Sequence, residues 1–365
     1  MTPLCLRGPL QPRFADKDLS MTSMQAFRLL KLRHSGALVE VDIPSVGAGQ
    51  VRLKVAGSGV CHSDLHVMHA PFLPWSTPFT LGHETTGWVD AVGSSVRGIE
   101  VGNAYAVYGS WGCGVCRPCQ QGAENYCLRA NEIAFAGPGL GRDGGMAEYL
   151  LVDQVRQLVP LGDLEPVAAA PLLDAALTPY HAIRRSLERL RAGTTTVVIG
   201  VGGLGHLAVQ LLRALSATQI IAVDSAADKR ALALKLGAHE ALDFGQNIRA
   251  ELADLLGGTD LVIDFVGVDS SMALAADLVS RDGDVTIVGH AGGSLPLDWL
   301  RMQYGARVSF PYWGTRPELM DVLQLARSGV ITPEIERIGL EDLPAVYERL
   351  SAGTQHGRAV VVPGG

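Results

Sequence analysis

The chain has 365 residues and carries 30 Lys and Arg against 37 Asp and Glu, which gives a net charge of −7. Hydrophobic residues make up 47% of it and charged residues 18%, so the composition excludes a disordered chain and suits about two globular domains. The acidic balance argues against nucleic acid or an anionic membrane as a partner, and no apolar run approaches the ~18 residues of a membrane helix. No signal peptide is recognisable, so we expect a cytoplasmic protein, and most simply an enzyme.

The first part of the chain has no sustained hydrophobic period, and we interpret residues 1–23 as an N-terminal extension or as sequence upstream of the true start. From residue 24 onward the chain is rich in short β patterns. Apolar and polar residues alternate at 51–55, 85–92 and 101–108, with Gly-rich turns between them. Strands at such intervals predict a compact antiparallel barrel or sandwich.

The pattern changes near Asp174 to strands that alternate with helices. Apolar runs and helical periodicity predict strands at 196–200, 220–224, 261–265 and 284–289 and helices at 204–212 and 228–236. This alternation is typical of a parallel sheet covered by helices on both faces. Helices predicted at 316–327 and 341–350 and a final strand at 358–362 do not extend the alternation, and this tail could return to the first domain.

Four of the six cysteines lie within fifteen residues, in the pattern C-x2-C-x2-C-x7-C. They are Cys113, Cys116, Cys119 and Cys127. Four closely spaced thiolates are typical of a structural zinc ion, which is closed to substrate. Two disulfides or an iron–sulfur cluster are the alternatives, and the missing export signal and the spacing disfavour them.

A second set of metal-ligand residues is spread over the chain and mixes ligand types. Cys61, His83 and Asp174 offer a thiolate, an imidazole and a carboxylate, and Glu84 adjoins His83. Such a mixed set from separate segments is expected of a catalytic zinc with an open position. Each residue alone is weak evidence, because a single Cys or His is more often part of a core or a surface.

Three polar residues follow Cys61 in the chain and suggest supporting roles. Asp64 is a candidate hydrogen-bond acceptor for the His83 ring, which would fix its tautomer. Ser63 and His66 could pass a proton between a metal-bound oxygen and solvent. For Ser63 and Asp64 the alternative is a role in capping a helix N-terminus.

The sequence Gly200-Val-Gly-Gly-Leu-Gly205 follows a predicted strand and opens a predicted helix. This is the context in which GxGxxG binds a dinucleotide, with the candidate contacts Gly200, Gly202, Gly203, Leu204 and Gly205. Asp224 ends the next strand, where a carboxylate accepts hydrogen bonds from ribose hydroxyls and repels a 2′-phosphate, so NAD is preferred. Lys229 and Arg230 follow, which leaves some use of NADP open.

With these features in this order, the chain resembles the zinc-dependent medium-chain alcohol dehydrogenase family, most closely its bacterial NAD-dependent secondary-alcohol members. The resemblance extends from about residue 24 to the C-terminus. It is carried by the GxGxxG sequence, the four-cysteine spacing and the stretches Gly59-Val-Cys-His-Ser-Asp64, Gly82-His-Glu84, Trp111-Gly-Cys-Gly114 and Pro311-Tyr-Trp-Gly-Thr315.

The resemblance implies an α/β fold with two domains. A GroES-like β-barrel catalytic domain would span residues 24–175 and be completed by 315–365. A Rossmann domain with a doubly wound parallel sheet would bind NAD at 176–314. The family forms dimers and tetramers, so a homodimer or homotetramer is expected, and residues 306–311 could form an edge strand for it.

The resemblance also assigns the metals. Cys61, His83 and Asp174 would hold the catalytic zinc, with Glu84 next to it and able to ligate transiently. The four clustered cysteines would hold a structural zinc, so each subunit would carry two zinc ions. The best-known members have a second cysteine where this chain has Asp174, and a carboxylate is a harder, less electron-donating ligand.

The remaining roles that the resemblance implies concern proton transfer, cofactor and substrate. Ser63 would take the alcohol proton and His66 would pass it on. Further contacts to NAD would come from His62, Thr178, Lys229, Val288, Gly289 and Arg358. An apolar substrate pocket would be lined by Trp75, Leu140, Tyr312 and Trp313.

The implied reaction is reversible hydride transfer between secondary, and some primary, alcohols and NAD, which gives ketones or aldehydes. Two alternatives remain open. One is a polyol or aldehyde dehydrogenase of the same family, which would need hydroxyl-binding groups in the pocket. The other is a non-catalytic NAD-binding scaffold.

Overall fold

The computed structural model of the chain describes residues 22–133, 137–245, 247–255 and 258–364. Of the extension predicted at residues 1–23, residues 1–21 lie outside this described part. Ser23 already begins the first strand, so the ordered sheet starts slightly earlier than predicted.

The first half of the chain forms antiparallel sheet with short helices between strands. Its strands are β1 (Ser23–Leu29), β2 (Ala37–Asp42), β3 (Val51–Gly59), β4 (Phe79–Thr80), β5 (Glu84–Val92), β6 (Ala104–Val107), β7 (Gly137–Pro138), β8 (Gly141–Arg142), β9 (Tyr149–Val152) and β10 (Leu158–Pro160). Its helices are α1 (His62–His69), α2 (Arg117–Gln120) and α3 (Pro166–Ala169). The predicted strand at 101–108 is shorter than expected, because residues 101–103 form a turn before β6.

The second half begins with helix α4 (Leu177–Arg184) and builds a parallel sheet. Its strands are β11 (Thr195–Ile199), β12 (Gln219–Asp224), β13 (Glu240–Asp243), β14 (Leu261–Asp264), β15 (Asp284–Ile287) and β16 (Arg307–Ser309). Its crossover helices are α5 (Gly205–Leu215), α6 (Ala227–Lys235), α7 (Ile248–Leu255) and α8 (Asp269–Leu278). The spatial order is β13-β12-β11-β14-β15-β16, which is the Rossmann order with its switch point between β11 and β14.

The C-terminal tail returns to the antiparallel sheet. It contains α9 (Arg316–Arg327), β17 (Ile335–Ile338), α10 (Leu343–Ser351) and β18 (Arg358–Val361). β18 pairs antiparallel with β3 and parallel with β17. The largest sheet of this half therefore has the order β10-β6-β5-β3-β18-β17, with β9 also paired to β3. Among the helices that the structure describes, none combines the length and apolar character that crossing a bilayer requires.

One hydrophobic core joins the two sheets. Leu172, Leu173 and Leu177, at the passage from one half to the other, are fully or almost fully buried. They belong to the same cluster as Tyr108 of the first half and Leu207 of α5. Burial of a Leu side chain contributes roughly 1.5–3 kcal/mol, so this shared core holds the segment around Asp174 in a fixed place relative to the parallel sheet.

Helix α5 is also tied to the tail by polar contacts. The His206 ring lies with Nδ1 3.0 Å from the Gly202 carbonyl oxygen, and its Nε2 accepts a hydrogen bond from the Glu334 backbone at 3.3 Å. Gln210 exchanges two hydrogen bonds with the backbone of Thr332. Burial lowers the pKa of His206 from its ordinary 6.5 to about 4, so the ring is neutral at pH 7.

This neutral histidine predicts a specific acid sensitivity. Below pH 6.5 the unfolded chain protonates His206 while the folded chain does not, so stability falls as pH decreases from 6.5 to about 4. The loss from this group is about 3 kcal/mol over that window. His206→Gln should flatten the pH dependence of the unfolding free energy between pH 6.5 and 4, measured by urea denaturation. An equal slope in the two proteins would show that His206 does not titrate as expected.

Candidate active site

Three buried side chains from distant parts of the chain meet at one point. Cys61 is the N-cap of α1, His83 comes directly before β5, and Asp174 ends the turn that precedes α4. Cys61 Sγ lies 3.6 Å from Asp174 Oδ2, and His83 Nε2 lies 3.8 Å from the same oxygen. All three ligand atoms lie within 4.8 Å of one another, so the structure brings together the trio predicted from the sequence.

The donor atoms and their spacing fit a zinc ion. Tetrahedral ligands at about 2.0–2.3 Å from zinc are about 3.3–3.8 Å from each other. The separations of 3.6 and 3.8 Å agree with this range. Sulfur, imidazole nitrogen and carboxylate oxygen are the donors that zinc takes, and three protein ligands leave a position open.

Asp64 supports two of these ligands. One of its oxygens accepts a hydrogen bond from the Cys61 backbone at 2.9 Å, and the other lies 3.2 Å from His83 Nδ1. Burial alone lowers the pKa of His83, but the carboxylates of Asp64 and Asp174 outweigh it and raise the pKa well above its ordinary value. A carboxylate beside Nδ1 favours a proton on that nitrogen, and a cation bound at the cluster would displace the proton from Nε2.

Asp174 is held by two further side chains. The Thr178 hydroxyl donates a hydrogen bond to its Oδ1 at 2.5 Å, and Arg358 Nη2 lies 3.6 Å from its Oδ2. Burial raises the pKa of Asp174, but His83, Arg358 and Thr178 together lower it below the ordinary value. The hydroxyl of Thr178, which the family resemblance places at the nicotinamide, therefore also orients a candidate metal ligand.

Glu84 lies beside the cluster but is occupied by other partners. Arg358 binds it through Nε at 3.0 Å and through Nη2, and the Ala175 backbone donates to it at 3.0 Å. Within the described residues, Glu84 does not belong to the group that could hold a metal ion. Burial raises the pKa of Glu84 although Arg358 acts in the opposite direction.

Arg358 also faces the dinucleotide loop (residues 200–205). A Cβ at Gly203 would lie 2.8 Å from Arg358 Nη1, so any larger residue there would collide with the guanidinium. The family resemblance places this arginine near the cofactor phosphates. In the structure Nη1 faces the loop, while Nε contacts the Glu84 carboxylate and Nη2 lies near that of Asp174.

The two residues predicted to move a proton lie on α1. Ser63 Oγ is 3.6 Å from Cys61 Sγ, and the His66 ring lies edge-on to His290 with centroids 5.3 Å apart. On the same helix, the ring centroids of His62 and His66 are 6.3 Å apart. Burial, followed by repulsion from His290, lowers the pKa of His66. His290 comes from the Rossmann half, and no motif in the sequence pointed to it.

The four-cysteine lobe (residues 113–127) gathers its thiols into one group. Cys116 Sγ lies 3.3 Å from Cys119 Sγ and 3.9 Å from Cys127 Sγ, and Cys113 Sγ lies 3.9 Å from Cys119 Sγ. Thiolates in a tetrahedron around zinc are about 3.8 Å apart, whereas a disulfide requires about 2.05 Å. Among the described cysteines none forms a disulfide, and these four form a single candidate metal group.

The lobe also provides thiolates. Backbone N–H donors lower the pKa of Cys113, and they lower that of Cys116 to about 6. Burial raises the pKa of Cys119 and Cys127. Since the thiolate is the ligand form, Cys116 is readily available at neutral pH, and a cation would favour ionisation of the other three.

The dinucleotide loop has the geometry that the motif requires. Gly200 has φ +88°, a left-handed conformation that favours glycine, and the loop leads through Leu204 into α5. Asp224 accepts hydrogen bonds from the Val201 backbone at 2.7 Å and the Ala226 backbone at 2.9 Å. Its carboxylate thus lies at the loop, at the carboxyl end of β12, where an adenosine ribose would be bound.

The basic residues after Asp224 have protein partners. Lys229 Nζ donates to the Gly353 carbonyl at 2.9 Å. Arg230 donates to the backbone oxygen of Asp224 and to the Asp243 carboxylate at 3.0 Å. Arg230 is thus occupied by an acidic neighbour in the region where an NADP phosphate would need a free cation.

Sequence reasoning missed Asp264, a fully buried carboxylate at the end of β14. One oxygen accepts the Val266 backbone N–H at 2.8 Å and that of Gly267 at 3.1 Å. Its backbone oxygen accepts the N–H groups of Val288 and Gly289 at 2.8 and 2.9 Å. Burial raises the pKa of Asp264. An acid closing an apolar strand, followed by a glycine, is the signal that could have identified it.

The predicted substrate-pocket residues differ in how deeply they are buried and in what they contact. Trp75 lies half-buried against the Gly141 backbone beside Leu140, and Tyr312 is 42% exposed. Trp313 is buried, and its ring lies edge-on to His83 with centroids 5.5 Å apart. Trp313 also has φ +53°, and a left-handed bulky residue costs of order 1–3 kcal/mol. The Trp313 ring thus lies directly against a candidate metal ligand.

Comparison with known proteins agrees with this architecture. A family model described as the alcohol dehydrogenase GroES-like domain matches residues 47–163, and one described as zinc-binding dehydrogenase matches residues 203–328. The chain is 32% identical to D-arabinose 1-dehydrogenase (NADP(+)) of Saccharolobus solfataricus, over 95% of this chain and all of that protein.

Two solved structures have the same fold along nearly their whole length. The alcohol dehydrogenase of Aeropyrum pernix superposes with a TM-score of 0.87 at 32% identity and covers 93% of this chain and 100% of its own. The acetophenone reductase of Geotrichum candidum in complex with NAD superposes with a TM-score of 0.83 at 32% identity. The match covers 94% of this chain and 98% of that one. The α/β fold predicted from the sequence is confirmed, and the chain is an oxidoreductase that belongs to the zinc-type medium-chain alcohol dehydrogenase family.

Proposed function

We propose that the chain oxidises secondary alcohols reversibly to ketones with NAD, using one catalytic and one structural zinc ion. The observation that carries this proposal is the buried trio of Cys61, His83 and Asp174. It is linked through Arg358 to the dinucleotide loop at the carboxyl ends of the parallel strands. A metal ligand set and a dinucleotide crevice are thus joined by one side chain.

Cys61, His83 and Asp174 would hold the ion with one position open to substrate. When bound there, zinc supplies a Lewis acid that lowers the pKa of an alcohol and polarises a carbonyl, while the nicotinamide accepts or returns the hydride. Asp64 and Thr178 hold the ligands in place. The buried Trp313 ring beside His83 excludes water from that side.

Proton transfer is assigned to α1. The Ser63 hydroxyl lies 3.6 Å from Cys61 Sγ and would accept the proton of the alcohol. His66 would carry it outward, since its lowered pKa keeps the ring neutral and able to accept a proton. His290 touches His66 across the cleft and is a further acceptor within reach.

NAD is favoured over NADP by the acidic groups around the adenosine end. Asp224 and Asp243 lie on neighbouring parallel strands as register partners. Arg230 is paired with Asp243, so it offers no free charge to a 2′-phosphate. The acetophenone reductase relative, solved with NAD, is in line with this preference, whereas the D-arabinose dehydrogenase relative is named for NADP.

The proposed substrates follow from the pocket residues. Trp75, Leu140, Tyr312 and Trp313 offer apolar area and select weakly among apolar alcohols. A sugar or polyol dehydrogenase is the second candidate, favoured by the relative named D-arabinose 1-dehydrogenase.

We also propose that copies of the chain associate through β16, an edge strand of the parallel sheet.

The test is NADH formation with propan-2-ol, 1-phenylethanol, ethanol, sorbitol and D-arabinose, with NAD and NADP in parallel. We expect 1-phenylethanol and propan-2-ol with NAD to exceed the sugars in kcat/KM by about tenfold or more, because unpaired hydroxyls are poorly accommodated by an apolar wall. Ser63→Ala should lower kcat by about a hundredfold without changing the Kd of NADH. Preference for D-arabinose would favour the second candidate, and no turnover by zinc-loaded protein would favour a non-catalytic scaffold.

Metal analysis tests the two sites separately. Asp174→Ala should reduce zinc from two ions to one per chain and abolish turnover, because it removes a ligand of the open site and leaves the four-cysteine lobe intact. Asp163→Ala, which changes an exposed carboxylate, is the matched control and should keep both ions. Two ions retained in Asp174→Ala, measured by inductively coupled plasma mass spectrometry, would contradict the ligand assignment.

Asp264 is expected to position the nicotinamide half of the cofactor. Asp264→Ala leaves two buried backbone donors unpaired, so we expect the Kd of NADH to rise by about 10- to 100-fold. Asp264→Asn keeps an acceptor oxygen and should recover most of the affinity, while Asp277→Asn on the exposed face of α8 should have no effect. Fluorescence titration measures these values, and zinc content should stay constant. An unchanged Kd in Asp264→Ala would contradict this role.

A further inference from the structure

The four-cysteine lobe lies directly against the pocket-wall segment (residues 312–318). The Asn125 side chain donates through Nδ2 to the Tyr312 carbonyl at 2.8 Å, and the Arg316 backbone donates to the Gly122 carbonyl at 2.9 Å. Gly122 has φ +79°, and a Cβ there would lie 2.7 Å from the Pro317 ring. The lobe thus contacts the segment on both sides of Trp313.

A second chain of contacts connects the lobe to the end of the same segment. Tyr126 Oη lies 2.8 Å from His181 Nε2, and His181 Nδ1 lies 2.8 Å from a Glu318 carboxylate oxygen. That carboxylate accepts hydrogen bonds from the Thr315 backbone and hydroxyl, each at 2.8 Å. The first turn of α9 is therefore fixed by a side-chain path that begins in the lobe.

The opposite side of the segment faces the metal ligands. The Trp313 indole donates to the Leu173 carbonyl at 2.8 Å, next to Asp174, and its ring rests edge-on against His83. A left-handed conformation at a tryptophan persists only when its surroundings enforce it. Asn125, which is buried and bonds the residue just before Trp313, supplies part of that constraint.

We propose that the four-cysteine lobe positions the wall of the substrate pocket, and that Asn125 is its positioning residue. The proposal rests on the proposed function in taking Trp313 as that wall. A bulky aryl ketone reaches the wall and depends on its placement, whereas a small ketone is held mainly by the open metal position. Asn125 therefore determines affinity for bulky substrates and not for the cofactor.

The test compares Asn125→Ala, Tyr126→Phe and Glu132→Ala. Glu132 is exposed next to the lobe and pairs only locally with Arg129, so its variant is the matched control. We measure KM for acetophenone and propan-2-one, the Kd of NADH, zinc content, and hydrogen–deuterium exchange of the pocket-wall segment. Tyr126→Phe removes one hydroxyl from a partly exposed ring and keeps the test available if Asn125→Ala folds poorly.

For Asn125→Ala we expect KM for acetophenone to rise about tenfold, because the loss of one hydrogen bond weakens binding by about that factor. Hydrogen–deuterium exchange of the pocket-wall segment should become faster. KM for propan-2-one and the Kd of NADH should stay within about twofold and zinc content should be unchanged, since none of them involves this bond. Tyr126→Phe should show a smaller change of the same kind, and Glu132→Ala none.

Parallel rises in KM for both ketones, or unchanged exchange of the segment in both lobe variants, would overturn the proposal. If the unaltered protein reduces neither ketone, the proposed function fails, and the exchange experiment still decides whether the lobe holds the segment.

Discussion

The candidate metal site depends on balancing a group of acidic side chains that are buried together. Cys61, Asp64, Glu84 and Asp174 are all at most 9% exposed, and the one guanidinium among them is that of Arg358. Removing a charge from water costs several kcal/mol unless a partner offsets it. Arg358 can offset Glu84 and part of the charge of Asp174, and a divalent ion at the trio would offset the rest. The residues that would bind the metal and those that surround it are thus one electrostatic unit.

This unit also relates the two halves of the molecule. Arg358 belongs to β18 in the antiparallel sheet, yet its guanidinium touches the dinucleotide loop of the Rossmann half. His206 connects the same loop to the tail through the Glu334 backbone, and Asp174 accepts a hydrogen bond from the Thr178 hydroxyl of α4. Displacing one half from the other would separate charges and hydrogen bonds that are already buried, which favours one arrangement of the cleft.

Much of the site could be predicted because its motifs are local or carried by a family resemblance. The four cysteines and the glycines of the dinucleotide loop lie close in sequence, so their spacing alone indicates their chemistry. Asp264 and His206 were missed because their roles depend on which backbone groups the folded chain brings to them. The pairing of Glu84 with Arg358, 274 residues apart, has no local signal at all. The short strand β13 was missed for another reason. It lies at the edge of its sheet, and its four residues begin and end with acids, so the sequence has no apolar run there that would predict a strand.

That separation of 274 residues has a consequence during synthesis. At 5–20 residues per second, a ribosome needs roughly 14–55 s to reach Arg358 after it has made Glu84. Throughout that interval the nascent chain lacks the cation that offsets this carboxylate, so the trio cannot be buried in its final form. The four-cysteine lobe is complete within fifteen residues and can take up its ion long before. The two candidate metal sites of the chain are therefore expected to mature in sequence, the four-cysteine site first and the Cys61, His83 and Asp174 site only as the last strand of the sheet is added.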